Sequence, residues 1–214
     1  MLIDMHIHTS FSPCSIISIP YLLRRAKEIG LDGICITDHN TAASKYVFEN
    51  ISDNSGICVI VGIEYTTPNG DFLVFGPVDC IPNDMDAQHL MGWVHKHGGV
   101  VIAAHPFRKY RSVDPNCLQL STIIESINGR NLPHEDDLCK NWLQQHGNGV
   151  KEIGGSDAHS LEEIGHVVTS FKNNIYNVDD LIQELQGKNY SPLKRQTQEI
   201  INRQLIRDDQ KIAY

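Results

Sequence analysis

The stretch Ile3-Asp4-Met5-His6-Ile7-His8 is a short apolar run that ends in two histidines. Four more apolar runs end in a histidine, a carboxylate or both, at residues 34–39, 59–64, 100–105 and 153–159. Parallel strands that are buried on both faces have continuous Val/Ile-rich runs of this kind. Because the carboxyl ends of barrel strands share one rim, we expect these polar side chains to meet there.

The spacing of these polar residues predicts a metal site. Alternate residues of a strand point to the same face, so His6 and His8 can reach one centre. Asp157 and His159 repeat that spacing on another strand. Mixed imidazole and carboxylate ligands suit Zn²⁺, Mn²⁺ or iron, whereas all-thiolate sites need several cysteines. Isolated polar loop residues would explain one such motif, but five strand ends of the same kind favour a metal site.

Strand and helix signals alternate along the chain. After the first run, strands are predicted at 33–37, 57–64, 71–76, 100–105, 122–127, 150–155 and 167–171, and helices at 19–29, 41–50, 84–97, 134–146 and 178–186. Repeated β-α order with right-handed crossovers predicts an α/β fold. Since the polar strand ends come from at least five strands, we expect a (β/α)7 TIM-like barrel rather than an open sheet. A Pro-Asn-Gly turn replaces the helix after the third strand, so the barrel should be distorted.

The chain divides into a barrel domain at residues 1–190 and a tail at 191–214. The tail mixes five basic and three acidic residues with Leu193, Ile200, Ile201 and Leu205. This pattern predicts a helix that packs on the barrel or binds a partner. A solvated surface helix is equally compatible with it.

Composition excludes several classes of protein. With 214 residues the chain can build one full core. Its net charge of −8 argues against tight, nonspecific binding of nucleic acid. No apolar stretch approaches the roughly 20 residues that span a bilayer, so no membrane association is expected. The six cysteines form no C-x-x-C pair, and the chain enters a strand at once without a signal peptide, so we expect a cytoplasmic protein with reduced thiols.

Five motifs together resemble the PHP (polymerase and histidinol phosphatase) domain family. They are H-x-H-T at 6–9, T-D-H-N at 37–40, G-I-E at 62–64, A-H-P at 104–106 and G-S-D-A-H at 155–159, in the family's order over nearly the whole chain. The resemblance implies a distorted seven-stranded barrel that holds two or three divalent metal ions. Members of the family include histidinol phosphatases, small phosphodiesterases and exonucleases, and domains attached to bacterial DNA polymerases.

The resemblance also implies a set of metal ligands: His6, His8, Asp38, His39, Glu64, His105, Asp157 and His159. In this set Asp157 completes the site of the two first-strand histidines. Glu64 bridges to a second metal, which His105 also binds. His39 and His159 bind a third metal, with Asp38 orienting His39 or contacting the metal itself.

Two departures from the family pattern affect the second and third metals. The family often has an acid shortly after H-x-H-T, where this chain reads Ser12-Pro13-Cys14. Many members also place a histidine on strand four, where this chain reads Phe72-Leu73-Val74-Phe75. Water, Cys14 or a loop histidine would then complete these sites, and a thiol that is only nearby is the alternative reading of Cys14.

The expected chemistry is hydrolysis of a phosphate ester, in which a hydroxide held between metals near Glu64 attacks phosphorus. Asp157 supports this centre, and His159 or a metal-bound water protonates the leaving group. Arg108 is expected to bind the phosphate, with Arg111 or Lys109 as substitutes. Three further residues are secondary candidates: Glu125 and Asn128, which close the sixth strand, and His166, which could line the substrate pocket.

The predicted substrate is a phosphate mono- or diester of a small metabolite or nucleotide. One alternative is an exonuclease for short single-stranded nucleic acid, because residues 108–111 read Arg-Lys-Tyr-Arg. Another is an amidohydrolase-like enzyme, although the fourth strand lacks the lysine that such enzymes typically use. A third is a noncatalytic metal-binding module, although most of the expected ligands are present.

Overall fold

The computed structural model describes residues 1–48 and 56–196, in which ten strands and six α-helices alternate. The strands are β1 Leu2–Ile7, β2 Gly33–Ile36, β3 Cys58–Val61, β4 Ile63–Thr67, β5 Gly70–Phe75, β6 Val100–Ala103, β7 Ile123–Asn128, β8 Lys151–Gly155, β9 Val167–Phe171 and β10 Tyr190–Lys194. The helices are α1 Ile19–Glu28, α2 Ser44–Phe48, α3 Ala87–Lys96, α4 Pro115–Leu120, α5 Pro133–His146 and α6 Val178–Gln186, with a 3₁₀ turn at Val78–Cys80.

The strands form two five-stranded sheets. One sheet has the order β10-β9-β1-β2-β3 and the other has the order β4-β5-β6-β7-β8. Isolated bridges join the sheets at both seams, from Ile7 to Ala158 and from His39 to Glu64. The fold is therefore the predicted distorted, TIM-like α/β barrel. It is divided into two sheets and is not one ring of seven strands within the described residues.

The division falls inside the single strand predicted at 57–64. The predicted strand is interrupted at Gly62. The segment before it, β3, pairs in parallel with β2, and the segment after it, β4, pairs antiparallel with β5. A Cβ atom at Gly62 would lie 2.6 Å from the carbonyl oxygen of Val74 and 2.7 Å from the Phe75 ring. Only glycine lets the backbone approach that closely. The predicted hairpin follows at once, with Thr67 opposite Gly70.

The core consists of an inner cluster and two outer ones. The inner cluster takes buried residues from both sheets and from α6, among them Met5, Leu73, Ile102 and Leu181. One outer cluster packs α3, α4 and α5 on the second sheet, and the other packs α1 on the first sheet. A core shared by both sheets explains why the strand ends converge, because burial of these apolar side chains holds the two sheets against each other.

Strand β1 changes the direction of its side chains just before the two histidines. Met5 belongs to the inner cluster, whereas Ile7 packs in the outer cluster with α1. The pairing register between β1 and β2 shifts along this stretch. A bulge of this kind re-aims the side chains that follow it. His6 and His8 consequently face the interior of the barrel directly after an inward-facing methionine.

Strand β7 also has a β-bulge near its carboxyl end. Its register with β8 shifts between Glu125 and Ile127. Ser126 and Ile127 line a separate cavity on the outer side of the barrel. Inside the barrel, the Asn128 side chain donates a hydrogen bond to Glu125. Two residues three positions apart thus reach the interior together, which regular alternation along a strand would not allow.

Most predicted elements are confirmed, and the beginning of the tail is a correction. The helices predicted at 84–97, 134–146 and 178–186 are present as α3, α5 and α6. Residues 191–194 are part of β10, which pairs antiparallel with β9, and are not helical. The remaining predicted tail from 197, and the end of the helix predicted at 41–50, lie outside the described residues. None of the described helices is long and apolar enough to cross a membrane.

Replacing Gly62 by alanine is expected to lower the free energy of unfolding by about 1–3 kcal/mol, because the new methyl group must displace backbone. Gly92 lies exposed inside α3, where a Cβ atom would meet nothing within 4 Å. The matched change Gly92→Ala should therefore raise stability by about 0.5–1 kcal/mol. Urea unfolding followed by circular dichroism measures both, and effects of the same sign would contradict this account of the seam.

Candidate metal centre

The carboxylate of Glu64 lies at the centre of a group of imidazoles. Its Oε2 atom is 3.1 Å from Nε2 of His8, 3.1 Å from Nδ1 of His39 and 3.4 Å from Nε2 of His6. Its Oε1 atom is 2.9 Å from Nε2 of His105. The structure thus brings together residues from four of the predicted strand ends around one buried acid.

Asp157 completes the group from the fifth strand end. Its Oδ1 atom is 3.1 Å from Nε2 of His8 and 3.5 Å from Nε2 of His6, and its Oδ2 atom accepts a 2.7 Å hydrogen bond from Arg108. Nδ1 of His159 lies 2.8 Å from the carbonyl oxygen of Asp157. Three sets of donor atoms lie within 4.8 Å of one another: His6 with His8 and Asp157, His6 with Glu64 and His105, and His8 with Cys14, His39 and His159.

The burial and charge of these donors fit divalent cations. Burial alone would raise the pKa of Glu64, but His6 and the hydrogen-bonded imidazoles hold it well below its usual range. Burial lowers the pKa of His39 and of His159, which favours the neutral imidazole that a metal requires. Nδ1 of His105 is buried and has no hydrogen-bond partner among the described residues. Such a set of buried acids and imidazoles is typical of Zn²⁺, Mn²⁺ or iron sites.

Glu125 holds two of the imidazole-bearing segments in place. Its Oε1 atom is 3.0 Å from Nδ1 of His6, so a proton on that nitrogen leaves Nε2 of His6 free to bind a metal. Its Oε2 atom accepts hydrogen bonds from the backbone N–H of His105 at 2.9 Å and from the side chain of Asn128 at 2.9 Å. The geometry of Glu125 therefore fits support of the ligands rather than contact with substrate.

Asp38 is held by hydroxyl and amide groups of the first loop. It accepts 2.7 Å hydrogen bonds from the backbone and side chain of Thr9 and from the hydroxyl of Ser12. The same Ser12 hydroxyl accepts from the backbone N–H of His39 at 3.0 Å and lies 3.3 Å from Nδ1 of His8. With both oxygens engaged in this way, Asp38 fits the positioning role and not that of a direct ligand.

A cavity of about 450 Å³ opens over the donor groups. Its lining is Cys14, His39, Glu64, His105, Arg108, Arg111, Arg130, Asp157, His159, Ser160 and Glu163. Besides Asp157, the Arg108 guanidinium donates to Asn128 at 2.5 Å and to Asn131 at 3.1 Å. Nε of Arg111 lies 3.0 Å from the buried carboxylate of Asp71. Three arginines in the wall give the cavity a cationic side above an anionic floor.

Two predicted substrate contacts lie elsewhere. His166 is not among the residues that line the cavity, and its charged neighbours are Arg25, Glu163 and Arg195. Its place in the sequence, shortly after the last motif, suggested proximity, but the turn that follows His159 places it beside Arg25 and Arg195 instead. The ammonium of Lys109 lies 4.9 Å from the ring centre of Tyr110 and does not line the cavity.

Three residues that line the cavity were not predicted from the sequence: Arg130, Ser160 and Glu163. Arg130 follows the end of β7, a position that could have suggested a rim residue. Glu163 accepts hydrogen bonds from the backbone N–H groups of His159 at 2.7 Å and Ser160 at 3.1 Å. The S-x-x-E spacing from Ser160 to Glu163 is that of a capping box, so this contact had a recognisable sequence signal.

The backbone is strained where it presents two of the donors. His105 has φ of +28° and Asp157 has φ of +54°, a region that residues with side chains rarely adopt. Gly155 allows a close approach beside them, since a Cβ atom there would lie 2.5 Å from Cβ of His6 and 2.8 Å from Oε1 of Glu125. The donors are thus crowded together at some conformational cost, as is typical of functional sites.

Comparison with known proteins places this arrangement in a family. The PHP domain matches residues 4–191, a span that contains the five motifs and every donor described above. The chain belongs to the PHP domain family. Membership in this family and the donor set together indicate a metal-dependent hydrolase.

Three proteins of known sequence or structure are similar to this chain. Uncharacterized protein MJ1587 of Methanocaldococcus jannaschii is 26% identical over 153 residues, which are 64% of this chain and 86% of that protein. Uncharacterized protein MJ0417 of the same organism is 27% identical over 194 residues, which are 85% of this chain and 75% of that protein. PsfC from Pseudomonas syringae PB-5123 shares the fold with a TM-score of 0.74 and 18% identity over 97% of this chain and 98% of its own.

Two further structures have the same fold at low identity. A Bifidobacterium adolescentis protein, provisionally assigned as a metal-dependent phosphoesterase, has a TM-score of 0.62 and 17% identity and covers 86% of this chain and 95% of its own. Endonuclease Q, in complex with a duplex that carries an abasic lesion, has a TM-score of 0.63 and 14% identity. The match covers 89% of this chain and 58% of endonuclease Q.

Glu125→Gln is expected to weaken Zn²⁺ or Mn²⁺ binding by about 10–100-fold, because the amide holds His6 and the His105 backbone less firmly than the carboxylate. The matched control is Glu152→Gln, on the exposed side of the neighbouring strand β8. Titration against a competing chelator measures the affinities of both variants. Equal affinity of Glu125→Gln and the parent would show that this carboxylate does not support the ligands.

Proposed function

We propose that this chain is a metal-dependent phosphoesterase that hydrolyses a phosphate mono- or diester of a small metabolite or nucleotide. The observation that supports this most directly is the pairing of opposite charges in one cavity. Imidazoles and carboxylates form its floor, and Arg108, Arg111 and Arg130 line its wall. In a chain of net charge −8, three arginines in one wall favour an anionic substrate.

The three donor sets would together bind up to three divalent ions of Mn, Zn or Fe. His6, His8 and Asp157 would hold one ion, Glu64 and His105 a second, and His39 and His159 a third. Bound ions would lower the pKa of a coordinated water and offset the charge on the phosphoryl oxygens. Glu64 faces four imidazoles within 3.4 Å and is therefore placed to serve more than one ion.

The arginines would bind and orient the phosphate. A guanidinium has more N–H donors than the three hydrogen bonds that Arg108 makes, so it can bind a phosphoryl oxygen as well. Its contacts with Asn128, Asn131 and Asp157 fix the planar group in advance, which reduces the entropy lost when substrate binds. Arg111 is held in a similar way by Asp71.

His159 fits the role of a ligand or proton acceptor better than that of the proton donor expected from the sequence. Burial lowers the pKa of His159, which favours its neutral imidazole. Nδ1 of His159 lies beside the carbonyl oxygen of Asp157, which leaves Nε2 with a lone pair for a metal or a proton. Water is then the source of the proton for the leaving group.

An exonuclease is the second candidate. Tyr110 is 89% exposed and lies between Lys109 and Arg111, which is the combination of stacking surface and positive charge that binds single strands. The net charge of −8 and the cavity of about 450 Å³ favour a small ester over a long polynucleotide. We therefore prefer the small substrate.

Metal-stripped protein should hydrolyse p-nitrophenyl phosphate or bis-p-nitrophenyl phosphate only after Mn²⁺, Zn²⁺ or Fe²⁺ is added back. Asp157→Asn should lower kcat by on the order of a hundredfold or more, because it removes both a metal donor and the partner of Arg108. Asp179→Asn, an exposed change on α6, is the matched control. Turnover that persists without metal, or in Asp157→Asn, would refute the proposal.

Arg130→Ala should raise KM for the preferred ester by about tenfold and change kcat little, because a charged hydrogen bond to phosphate contributes on the order of 1.5–3 kcal/mol. Arg24→Ala, an exposed arginine on α1, controls for the loss of one positive charge. Steady-state kinetics at constant ionic strength measure both. An unchanged KM in Arg130→Ala would remove this side chain from the substrate site.

A further inference from the structure

Cys14 lies at the mouth of the cavity, beside the outermost imidazoles. Its sulfur belongs to the set of donor atoms within 4.8 Å of one another that includes His8, His39 and His159. We propose that Cys14 is a thiolate ligand of the outer metal ion, which makes the outer site chemically different from the inner ones. This inference rests on the metal centre of the proposed function, but not on the reaction.

The loop that carries Cys14 is fixed to the same segments that carry the imidazoles. On one side, the hydroxyl of Ser15 donates to the carbonyl oxygens of His8 at 2.8 Å and His159 at 3.3 Å. On the other side, the hydroxyl of Ser12 accepts from the backbone N–H of His39. The backbone N–H of Ser15 also donates to the carbonyl of Ser12 at 3.0 Å. The thiol is thus positioned between two anchors and does not sit on a free loop.

The composition of the donor sets indicates why a thiolate at Cys14 would help to bind the outer metal ion. Each inner set contains a buried carboxylate, Glu64 or Asp157, whereas the outer set contains imidazoles and the thiol. Within the described residues, a Cys14 thiolate is the one anionic group of that outer set. On binding an ion, the thiol would release its proton to water and its sulfur would donate an electron pair to the metal.

A sulfur ligand also changes which metal the outer site prefers. Thiolates favour soft or borderline ions such as Zn²⁺, whereas Mn²⁺ prefers carboxylates and water. The inner sets of imidazoles and carboxylates suit Mn²⁺, Zn²⁺ and iron alike. We therefore expect a centre whose outer position selects Zn²⁺ more strongly than its inner positions do.

Titration with Co²⁺ as a probe for Zn²⁺ tests this ligand directly. The parent protein should develop a sulfur-to-cobalt charge-transfer band in the near ultraviolet. Cys14→Ser should lose this band and keep the visible bands of Co²⁺ bound at the inner sites, while Cys80→Ser, the change of another exposed cysteine, should retain both. Absence of the band in the parent, or its persistence in Cys14→Ser, would overturn the assignment.

A second measurement does not depend on spectroscopy. Zn²⁺ should protect Cys14 from alkylation by iodoacetamide, as read by mass spectrometry, and should leave Cys80 reactive. Cys14→Asp should lower the affinity of the outer site for Zn²⁺ by on the order of tenfold or more relative to Mn²⁺. Equal alkylation of Cys14 with and without bound Zn²⁺ would contradict coordination.

These readouts separate the inference from the proposed function. A sulfur-to-cobalt band in a protein without phosphoesterase turnover would support the ligand and refute only the reaction. Metal-dependent turnover without the band, in protein that binds Co²⁺ fully, would refute the ligand and leave the reaction standing.

Discussion

The contact of buried carboxylates with buried imidazoles is the constraint on which the rest of this structure depends. Glu64 and Asp157 are each only 1% exposed, and an ionised acid at such depth is costly unless opposite charge or hydrogen bonds surround it. The four imidazoles around Glu64 and the guanidinium beside Asp157 provide that surrounding. Because these groups come from different strands, the barrel has to bring all of those strand ends to one place.

Regular strands alone would not achieve this convergence. The register shifts in β1 and β7 turn side chains that would otherwise face outward, so that His6 follows an inward-facing methionine and Glu125 and Asn128 meet inside the barrel. The break at Gly62 has a related effect at the seam, since it lets β4 leave the first sheet and present Glu64 from the second. Irregularities in the strands, rather than their regular parts, determine the shape of the site.

This distinction explains how much could be predicted from the sequence. Hydrophobic runs with polar ends predicted the fold class and predicted that the metal-binding motifs meet at one rim. Both predictions depend on the periodicity of the sequence and on the common direction of parallel strands. The sequence indicated Glu125 as a candidate without choosing between contact with substrate and support of a ligand. That choice, and the presence of Arg130 in the cavity, depend on bulges and loops, which have no periodic signal. His166 does not line the cavity, because nearness in sequence does not determine which side of a barrel a turn reaches.

The positive φ angles of His105 and Asp157 have a consequence for the history and the engineering of this protein. Glycine would adopt either conformation without strain of about 1 kcal/mol or more, yet it would bring no donor atom. Relief of strain alone would therefore favour glycine at these two positions, whereas the buried partners of the two side chains, which glycine would leave unpaired, oppose it. A descendant that had lost its chemistry would no longer need these donor atoms, and a thermostable form that keeps its chemistry has to gain its stability elsewhere in the fold.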